Sequence, residues 1–467
     1  MRALFKRLDY LTRTTRGLVL MATAWDALIV ALLGILSAPM QEMLGLSISL
    51  EETERVGRII MLYHSLAIPF VAAVVYLILD MVPTTESLAR IVRRVITPGY
   101  MLVSIGGLTF AYLGHNWIFH GIFLFGQSLV FYAGVLLTVG LWPARHRNSD
   151  PAYSHIGSIS LERVCFFSVG VATLVSVLIG AAAGSYFGNG FEAVLAEDLV
   201  RREKSLFELA VISHLHIMLA LIDVAIFLLV VRKFDLKGRL HKVAMPLTLV
   251  GTWLIAIGCW LVVVWEGPAH AIIYGGSTVV LLGALLMTIA GIGRLIANQL
   301  AEQGIVRGTR RQRWVALLRN PLQFGLFFQM IWLNVVMVFP GIYTAVNLDE
   351  VFRRWPFEAE RRILTGHWHI LATISAVMVL LLVADRLRVR GWMRQVLGWG
   401  FLLGANLAFT FAVFYEYLPP EAGRRWTVAF IDAGILLALV VLALFLGRRL
   451  ADLFTPRGSW SEEDEPV

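Results

Sequence analysis

Twelve apolar stretches, each long enough to cross a lipid bilayer, constrain this chain more than any other feature of its sequence. A membrane-spanning helix needs about 20 apolar residues, because the hydrocarbon core is roughly 30 Å thick. Backbone amides in hydrocarbon must bond within their own segment, so each stretch is predicted to be helical. The predicted spans cover residues 17–38, 57–80, 95–114, 117–142, 160–187, 206–231, 242–265, 268–293, 320–345, 362–384, 392–416 and 426–447.

The composition supports a membrane protein and excludes a soluble one. Hydrophobic residues make up 58% of the chain and charged residues only 15%, which is too few to cover a water-exposed surface. We therefore predict an all-α polytopic membrane protein, with one twelve-helix domain over residues 1–450 and a polar cytoplasmic tail over residues 451–467. The expected surroundings are the lipid bilayer, and the formal charge of +8 is not taken as a sign of a nucleic-acid partner.

The distribution of basic residues predicts the orientation of the spans. Of the 40 Lys and Arg residues, about 29 fall on the cytoplasmic side and about 11 outside when the N-terminus is placed inside. Both termini are therefore predicted to be cytoplasmic, in the inner membrane of a bacterium. The basic start MRALFKRLDYLTRTTRG leads into the first span without a small-residue cleavage site, so it is interpreted as part of a membrane anchor.

An internal repeat relates the sixth span to the tenth. The sequence His214-Leu-His216-Ile matches His367-Trp-His369-Ile, and the same offset pairs Gly238 with Gly391, Glu197 with Glu350 and Arg201 with Arg354. His64 lies at a comparable depth in the second span. These matches predict three pseudo-repeats of four helices, with chance similarity between apolar segments as the alternative.

Eight of the eleven histidines are expected in one layer near the outer membrane surface: His64, His115, His120, His214, His216, His270, His367 and His369. An imidazole within a membrane is costly to bury unless it is bonded, so these residues are functional candidates. For any one of them, a simple hydrogen bond to a neighbouring helix is the alternative.

The His-x-His pair in the tenth span predicts two binding gaps. Side chains two residues apart on a helix point about 200° from each other, so His367 and His369 face different neighbours. This geometry suits a helix that stands between two haems and gives one axial nitrogen to each. At matching depth, His64 is the best available partner for His369.

The spans that carry these histidines resemble the catalytic subunit of the haem-copper oxidase and nitric oxide reductase superfamily. Leu364–Leu371 looks like the His-x-His helix of that superfamily, and Leu62–Leu66 resembles the helix that supplies the second ligand of its low-spin haem. The resemblance implies a low-spin haem b on His64 and His369, and a second, open haem on His367 as the catalytic centre. It also places Arg424 and Arg425 against haem propionates, where bidentate guanidinium–carboxylate pairing would hold them. An interfacial arginine pair that anchors the last span is the alternative.

The distal metal site of the superfamily is incomplete in this chain. Ser213–His216 falls where the family places its first distal ligand, but the adjacent histidine pair that completes the family's site is missing, and its position falls on Trp265-Glu266. A mixed metal site of His214, His216, Glu266 and His270 would suit non-haem iron, since carboxylate and imidazole together bind ferrous iron. Copper is not expected. The alternatives are a haem on His214 or His216, or no distal metal.

The sequence is compatible with three functions. In the first, electrons from quinol or from a cytochrome subunit reach the low-spin haem and then an open haem, which reduces nitric oxide or oxygen. In the second, the protein is a haem b electron-transfer subunit without gas chemistry. The third is a proton-coupled transporter, which would place its substrate site near the bilayer midplane.

Overall fold

The computed structural model describes residues 2–35, 42–43, 45, 59–114, 116–145, 150–186, 205–347, 350–418 and 425–454. Within these ranges, twelve helices are long and apolar enough to cross a membrane. The prediction of an all-α polytopic membrane protein is therefore confirmed. In chain order the helices are α1 (Arg2–Arg13), α2 (Thr15–Ile35), α3 (Ile59–Met81), α4 (Glu86–Leu113), α5 (Trp117–Gly140), α6 (Leu161–Tyr186), α7 (Leu206–Lys233), α8 (Arg239–Val262), α9 (Glu266–Ala301), α10 (Arg310–Leu318), α11 (Pro321–Ile331), α12 (Phe339–Val346), α13 (Phe357–Arg386), α14 (Gly391–Tyr417) and α15 (Arg425–Phe454).

Several helices extend beyond the apolar stretch that predicted them. The helix α4 begins at Glu86 and α9 ends at Ala301, because polar and basic residues continue a helix beyond the hydrocarbon. The helix α15 runs to Phe454, and residues 455–467 of the predicted tail lie outside the described residues.

The loop between the eighth and ninth spans contains a short helix, α10, that hydropathy did not predict. Its N-terminus carries a capping box, in which Thr309 accepts from the Gln312 backbone and Gln312 accepts from the Thr309 backbone. This Thr-x-x-Gln pattern is a helix-start signal that the sequence does contain. A short antiparallel hairpin of β1 (His155–Ile156) and β2 (Ile159–Ser160) precedes α6.

The chain forms two compact units. The N-terminal unit comprises Leu18–Leu228 and Met245–Val280, and the C-terminal unit comprises Met1–Gly17, Leu229–Ala244 and Leu281–Val467. In the N-terminal unit, a fully buried apolar cluster joins α3, α4 and α5 through Met61, Phe110 and Phe123. The C-terminal unit contains α1, the end of α7, the start of α8, the second half of α9 and α10–α15.

The turns after α7 and after α13 support the predicted repeat. The offset that pairs His214 with His367 also pairs Asp235 with Arg388, and both are non-glycine residues with a left-handed φ, +49° and +53°. Each turn ends on a glycine with positive φ, Gly238 and Gly391. The closing backbone hydrogen bonds match as well: Leu236 N to Val231 O at 3.1 Å, and Val389 N to Ala384 O at 3.2 Å.

A buried ion pair joins three helices of the C-terminal unit. The Nζ of Lys233, the last residue of α7, contacts the carboxylate of Asp385 on α13. Gln323 of α11 donates to the same carboxylate at 3.1 Å. The side chains of Lys233 and Asp385 are only 15% and 10% exposed, so each charge depends on the other for compensation.

Candidate functional site: an imidazole pair between α3 and α7

His64 of α3 and His214 of α7 face each other within the N-terminal unit. Their ring centroids are 6.3 Å apart and their planes differ by only 19°. Both side chains are half-buried, and each lies in the first half of its helix. The two histidines therefore form a near-parallel imidazole pair, which we call the imidazole pair below.

A backbone carbonyl fixes the orientation of His214. Its Nδ1 lies 2.9 Å from the carbonyl oxygen of Ser176 on α6. A carbonyl only accepts hydrogen bonds, so Nδ1 carries the proton and Nε2 keeps a lone pair. This is the tautomer of a metal-ligating histidine, which commonly donates its other N–H to a backbone carbonyl.

Two contacts hold this carbonyl and the His214 helix in place. Trp260 of α8 donates its indole N–H to Ser176 Oγ at 3.1 Å. Ser213, next to His214, donates its hydroxyl to the carbonyl of Cys259, also on α8. Two bonds therefore fix the rotation of α7 about its axis: that of His214 to α6 and that of Ser213 to α8.

A glycine makes room for the His214 ring. A methyl group placed on Gly180 of α6 would lie 2.6 Å from His214 Nδ1, closer than real side chains approach. The imidazole packs directly on the backbone of α6, and any larger residue at position 180 would displace it.

His64 is held by the residue that follows it. Ser65 is fully buried; its hydroxyl donates to Met61 O at 2.8 Å, and its own carbonyl accepts from Ser104 of α4 at 3.1 Å. The ring of Phe123 stands edge-on to His64 with centroids 6.0 Å apart. The apolar cluster of α3, α4 and α5 thus extends to the imidazole pair.

The separation of the imidazole pair would allow both rings to hold one iron. With metal–nitrogen bonds of about 2 Å and each ring nitrogen about 1 Å from its ring centre, two imidazoles that share one metal ion would have centroids about 6 Å apart. The observed 6.3 Å agrees with this value. The tautomer of His214 and the apolar ring of Phe123 also suit haem, which binds neutral imidazole between largely apolar walls.

The other predicted ligands of the N-terminal unit lie apart from this pair. His216 is exposed, its Nδ1 lies 3.1 Å from Ile212 O of its own helix, and it interacts electrostatically with His270. The His270 ring lies near-parallel to Tyr274, and Glu266 is the first residue of α9. Within the described ranges, no three His, Cys, Asp or Glu side chains come close enough together to hold a metal ion.

The predicted ligands of the C-terminal unit lie on α13. A methyl group on Gly341 of α12 would crowd Cε1 and Nε2 of His367, with Nε2 at 2.6 Å, so this ring packs on α12. Gly366 packs against the buried carboxylate of Glu416 on α14. The side chain of His369 is exposed.

Two predictions made from the resemblance are not tested by the structure: the pairing of His64 with His369, and the contact of Arg424 and Arg425 with haem propionates. The pairing of His64 with His369 joins residues of different units and stays a prediction. Arg424 and His115 lie outside the described residues, and of Arg425 only the backbone, at the start of α15, is described.

The sequence contained part of the signal for the imidazole pair. Its repeat predicted histidines at one depth on the second and sixth spans. Because of the His-x-His motif in the tenth span, however, the sequence analysis paired His64 with His369. Ser176, Gly180 and Trp260 were not found, because a backbone acceptor and a packing glycine leave no recognisable motif. No protein-family profile, curated protein or solved structure matches the chain.

Proposed function

We propose that this protein is an integral-membrane oxidoreductase subunit that transfers electrons through a haem b held between α3 and α7, with His64 and His214 as axial ligands. The observation that carries the proposal is the imidazole pair itself: parallel rings at 6.3 Å, with the Nδ1 of one bonded to a backbone carbonyl. Haem b, when bound, supplies a one-electron couple between ferric and ferrous iron.

The residues around the pair have definite roles in this proposal. His64 and His214 would each hold the iron through a neutral nitrogen, which would leave no position for a substrate. The carbonyl of Ser176 holds the His214 proton on Nδ1. This bond raises the basicity of Nε2, the nitrogen that would bind iron. Because Trp260 and Ser213 tie α6 and α7 to α8, three helices hold the position of His214.

The proposal extends to location and electron supply. The excess of Lys and Arg on one side supports a bacterial inner membrane with both termini in the cytoplasm. The electron donor is proposed to be quinol or a separate cytochrome subunit, as the resemblance implies. Reduction of nitric oxide or oxygen would take place at a second haem on His367, and this step rests on the resemblance alone.

Single histidine substitutions test the axial assignment. We expect His64→Leu and His214→Leu each to lose the low-spin haem b spectrum, because each removes one of two iron ligands. His369→Leu should keep that spectrum, and His155→Gln, on the hairpin before α6, is the control for a histidine remote from the pair. The measurements are the pyridine haemochrome and the reduced-minus-oxidised spectrum of purified protein.

Two results would contradict the assignment. Loss of the low-spin signal in His369→Leu with retention in His214→Leu would favour the pairing implied by the resemblance. Colourless wild-type protein, expressed with sufficient haem, would remove the redox proposal altogether. Misfolding is distinguished from ligand loss by adding imidazole to His214→Gly, which should restore the six-coordinate spectrum only if the pocket is intact.

A further inference from the structure

A groove lies at the end of α5, beside the beginning of α6. It is a cavity of 580 Å³ in the N-terminal unit, lined by Thr138, Val139, Trp142, Arg145 and Phe167. These residues come from the end of α5, from the turn that follows it and from the beginning of α6.

The walls of the groove are apolar and preformed. The rings of Trp142 and Phe167 meet edge-on with centroids 5.1 Å apart, and Trp142 is half exposed. Beside the groove α5 and α6 touch closely, since a methyl group on Gly170 would lie 2.6 Å from Thr138 Oγ1. The two helices therefore meet at Thr138 and leave an open cleft next to it.

Two arginines near the groove have different roles. Arg163 is buried, and its guanidinium donates to Pro83 O at 2.9 Å, Gly140 O at 2.8 Å and Trp142 O at 3.4 Å. It fixes the chain around the end of α5. Arg145, in contrast, is exposed and lines the groove together with its apolar residues.

The depth of the groove places it at the membrane surface. The helix α5 has 24 residues and is therefore about 36 Å long, slightly more than the hydrocarbon core. Trp142 and Arg145 follow its end directly, so they lie at the level of the lipid headgroups, where Trp and Arg commonly anchor to lipids. The groove thus offers an apolar surface toward hydrocarbon and a cation toward the headgroups.

The position of the groove favours a phospholipid over a redox-active quinone. Arg163 binds the carbonyl of Pro83, just after Met81 at the end of α3, whereas His64 lies near the start of that helix. The distance along the helix axis is about 25 Å. A quinone in the groove would be far from the imidazole pair, whereas a structural lipid requires no such proximity.

We propose that this groove binds one anionic phospholipid, with an acyl chain against Val139, Trp142 and Phe167 and the headgroup phosphate against Arg145. The charge of Arg145 selects an anionic headgroup over a zwitterionic one, because a basic side chain near the membrane surface attracts anionic lipid. The site is independent of the proposed haem.

Lipid titration of the full-length protein tests this proposal. Delipidated protein in detergent is titrated with phosphatidylglycerol or phosphatidylcholine, and bound lipid is counted by native mass spectrometry. We expect tighter binding of one phosphatidylglycerol, and about fivefold weaker binding in Arg145→Gln, the factor typical of one basic residue at an anionic surface. Arg90→Gln, an exposed arginine of α4 outside the groove, should bind as the wild type does.

A second variant tests the apolar part of the site. Val139→Trp fills the cleft with an indole and should abolish retention of phosphatidylglycerol while the protein keeps its melting temperature in detergent. Equal binding of the two lipids, or unchanged binding in both Arg145→Gln and Val139→Trp, would overturn the proposal. Displacement of bound phosphatidylglycerol by millimolar inorganic phosphate, as effective as displacement by added lipid, would also overturn the proposal. The acyl chain would then contribute nothing to binding.

Discussion

At the scale of single residues, two glycines leave room for the rings of the repeated histidines. His214 and His367 occupy equivalent positions in the repeat, and each rests on a glycine of the preceding span, Gly180 and Gly341. The ring atoms nearest to these glycines differ: they are Nδ1, Cε1 and Cγ in His214, and Cε1 and Nε2 in His367. The sequence predicted both histidines as ligands but could not predict ring orientation, which depends on a carbonyl of another helix.

Gly180→Ala should disrupt the imidazole pair without unfolding the protein. The added methyl group would lie 2.6 Å from His214 Nδ1 and must push the ring away from Ser176. We expect loss or broadening of the low-spin haem spectrum, measured in the reduced purified protein. Gly121→Ala on α5 is the matched control, because a methyl group there meets nothing within 4 Å. Identical spectra for the two variants would show that the His214 position is less restricted than the packing indicates.

At the scale of elements, the spans themselves were predicted closely, but their internal irregularities were not. Within the part of the chain that the structure describes, all twelve apolar stretches form helices, because hydrocarbon leaves the backbone no other way to bond. The ninth span contains a π-helix, Trp332–Val338, where the N–H of Phe339 bonds to Asn334 O. Pro340 follows directly; it has no N–H and its ring crowds the preceding turn, which a wider turn relieves. Hydropathy does not report this, although Pro340 is visible in the sequence.

Close helix packing predicts a second effect of a glycine substitution. Gly404 of α14 lies on the backbone of α15, where an added methyl group would meet Gly434 O at 2.8 Å and Ala438 N at 2.9 Å. Small residues allow such approach of membrane helices. Gly404→Leu should therefore lower stability by about 2 kcal/mol or more, as overpacking does. Thermal unfolding in detergent measures it, with Gly447→Leu, which faces open space, as the control expected to show little change.

At the scale of the whole molecule, charge pairing and haem content are the properties to test. The Lys233–Asp385 pair, supported by Gln323, ties α7, α13 and α11 within the C-terminal unit. Lys233 and Asp385 follow the ends of the predicted spans 206–231 and 362–384, but no sequence motif indicates that they pair, because they are far apart along the chain. The two-unit organisation was likewise not predicted, since hydropathy treats all spans alike.

Removing one member of this ion pair should be costly. Asp385→Asn leaves the Lys233 charge buried without compensation, and we expect a loss of about 3 kcal/mol in stability. Asp235→Asn breaks an exposed pair with Lys237 at a position of left-handed φ, which asparagine tolerates, and should change stability little. Melting temperatures of both variants in the same detergent provide the comparison. Equal melting temperatures would mean that the Lys233 charge finds another partner.

Carbon monoxide distinguishes electron transfer from gas reduction. An iron bound by His64 and His214 has no open position, so carbon monoxide should leave its reduced spectrum unchanged. A separate band that does shift with carbon monoxide, and that His367→Leu removes, would indicate the second, open haem that the resemblance implies. Iron and copper analysis of the same sample completes the test: we expect iron and no copper, and one copper per chain would contradict the predicted loss of the copper site.

The partner of His214 Nδ1 is a main-chain oxygen, and this has a consequence for genetics. Exchange of the Ser176 side chain removes the Trp260 contact but leaves the main-chain acceptor on α6. Exchange of the imidazole removes the bond itself, and exchange of the glycine behind it displaces the ring. A random screen for bleached colonies should therefore recover hits at codons 180 and 214 but few at codon 176, apart from those that bend the helix. The carbonyl acceptor that orients the imidazole would be hidden from such a screen although it lies 2.9 Å from the ring.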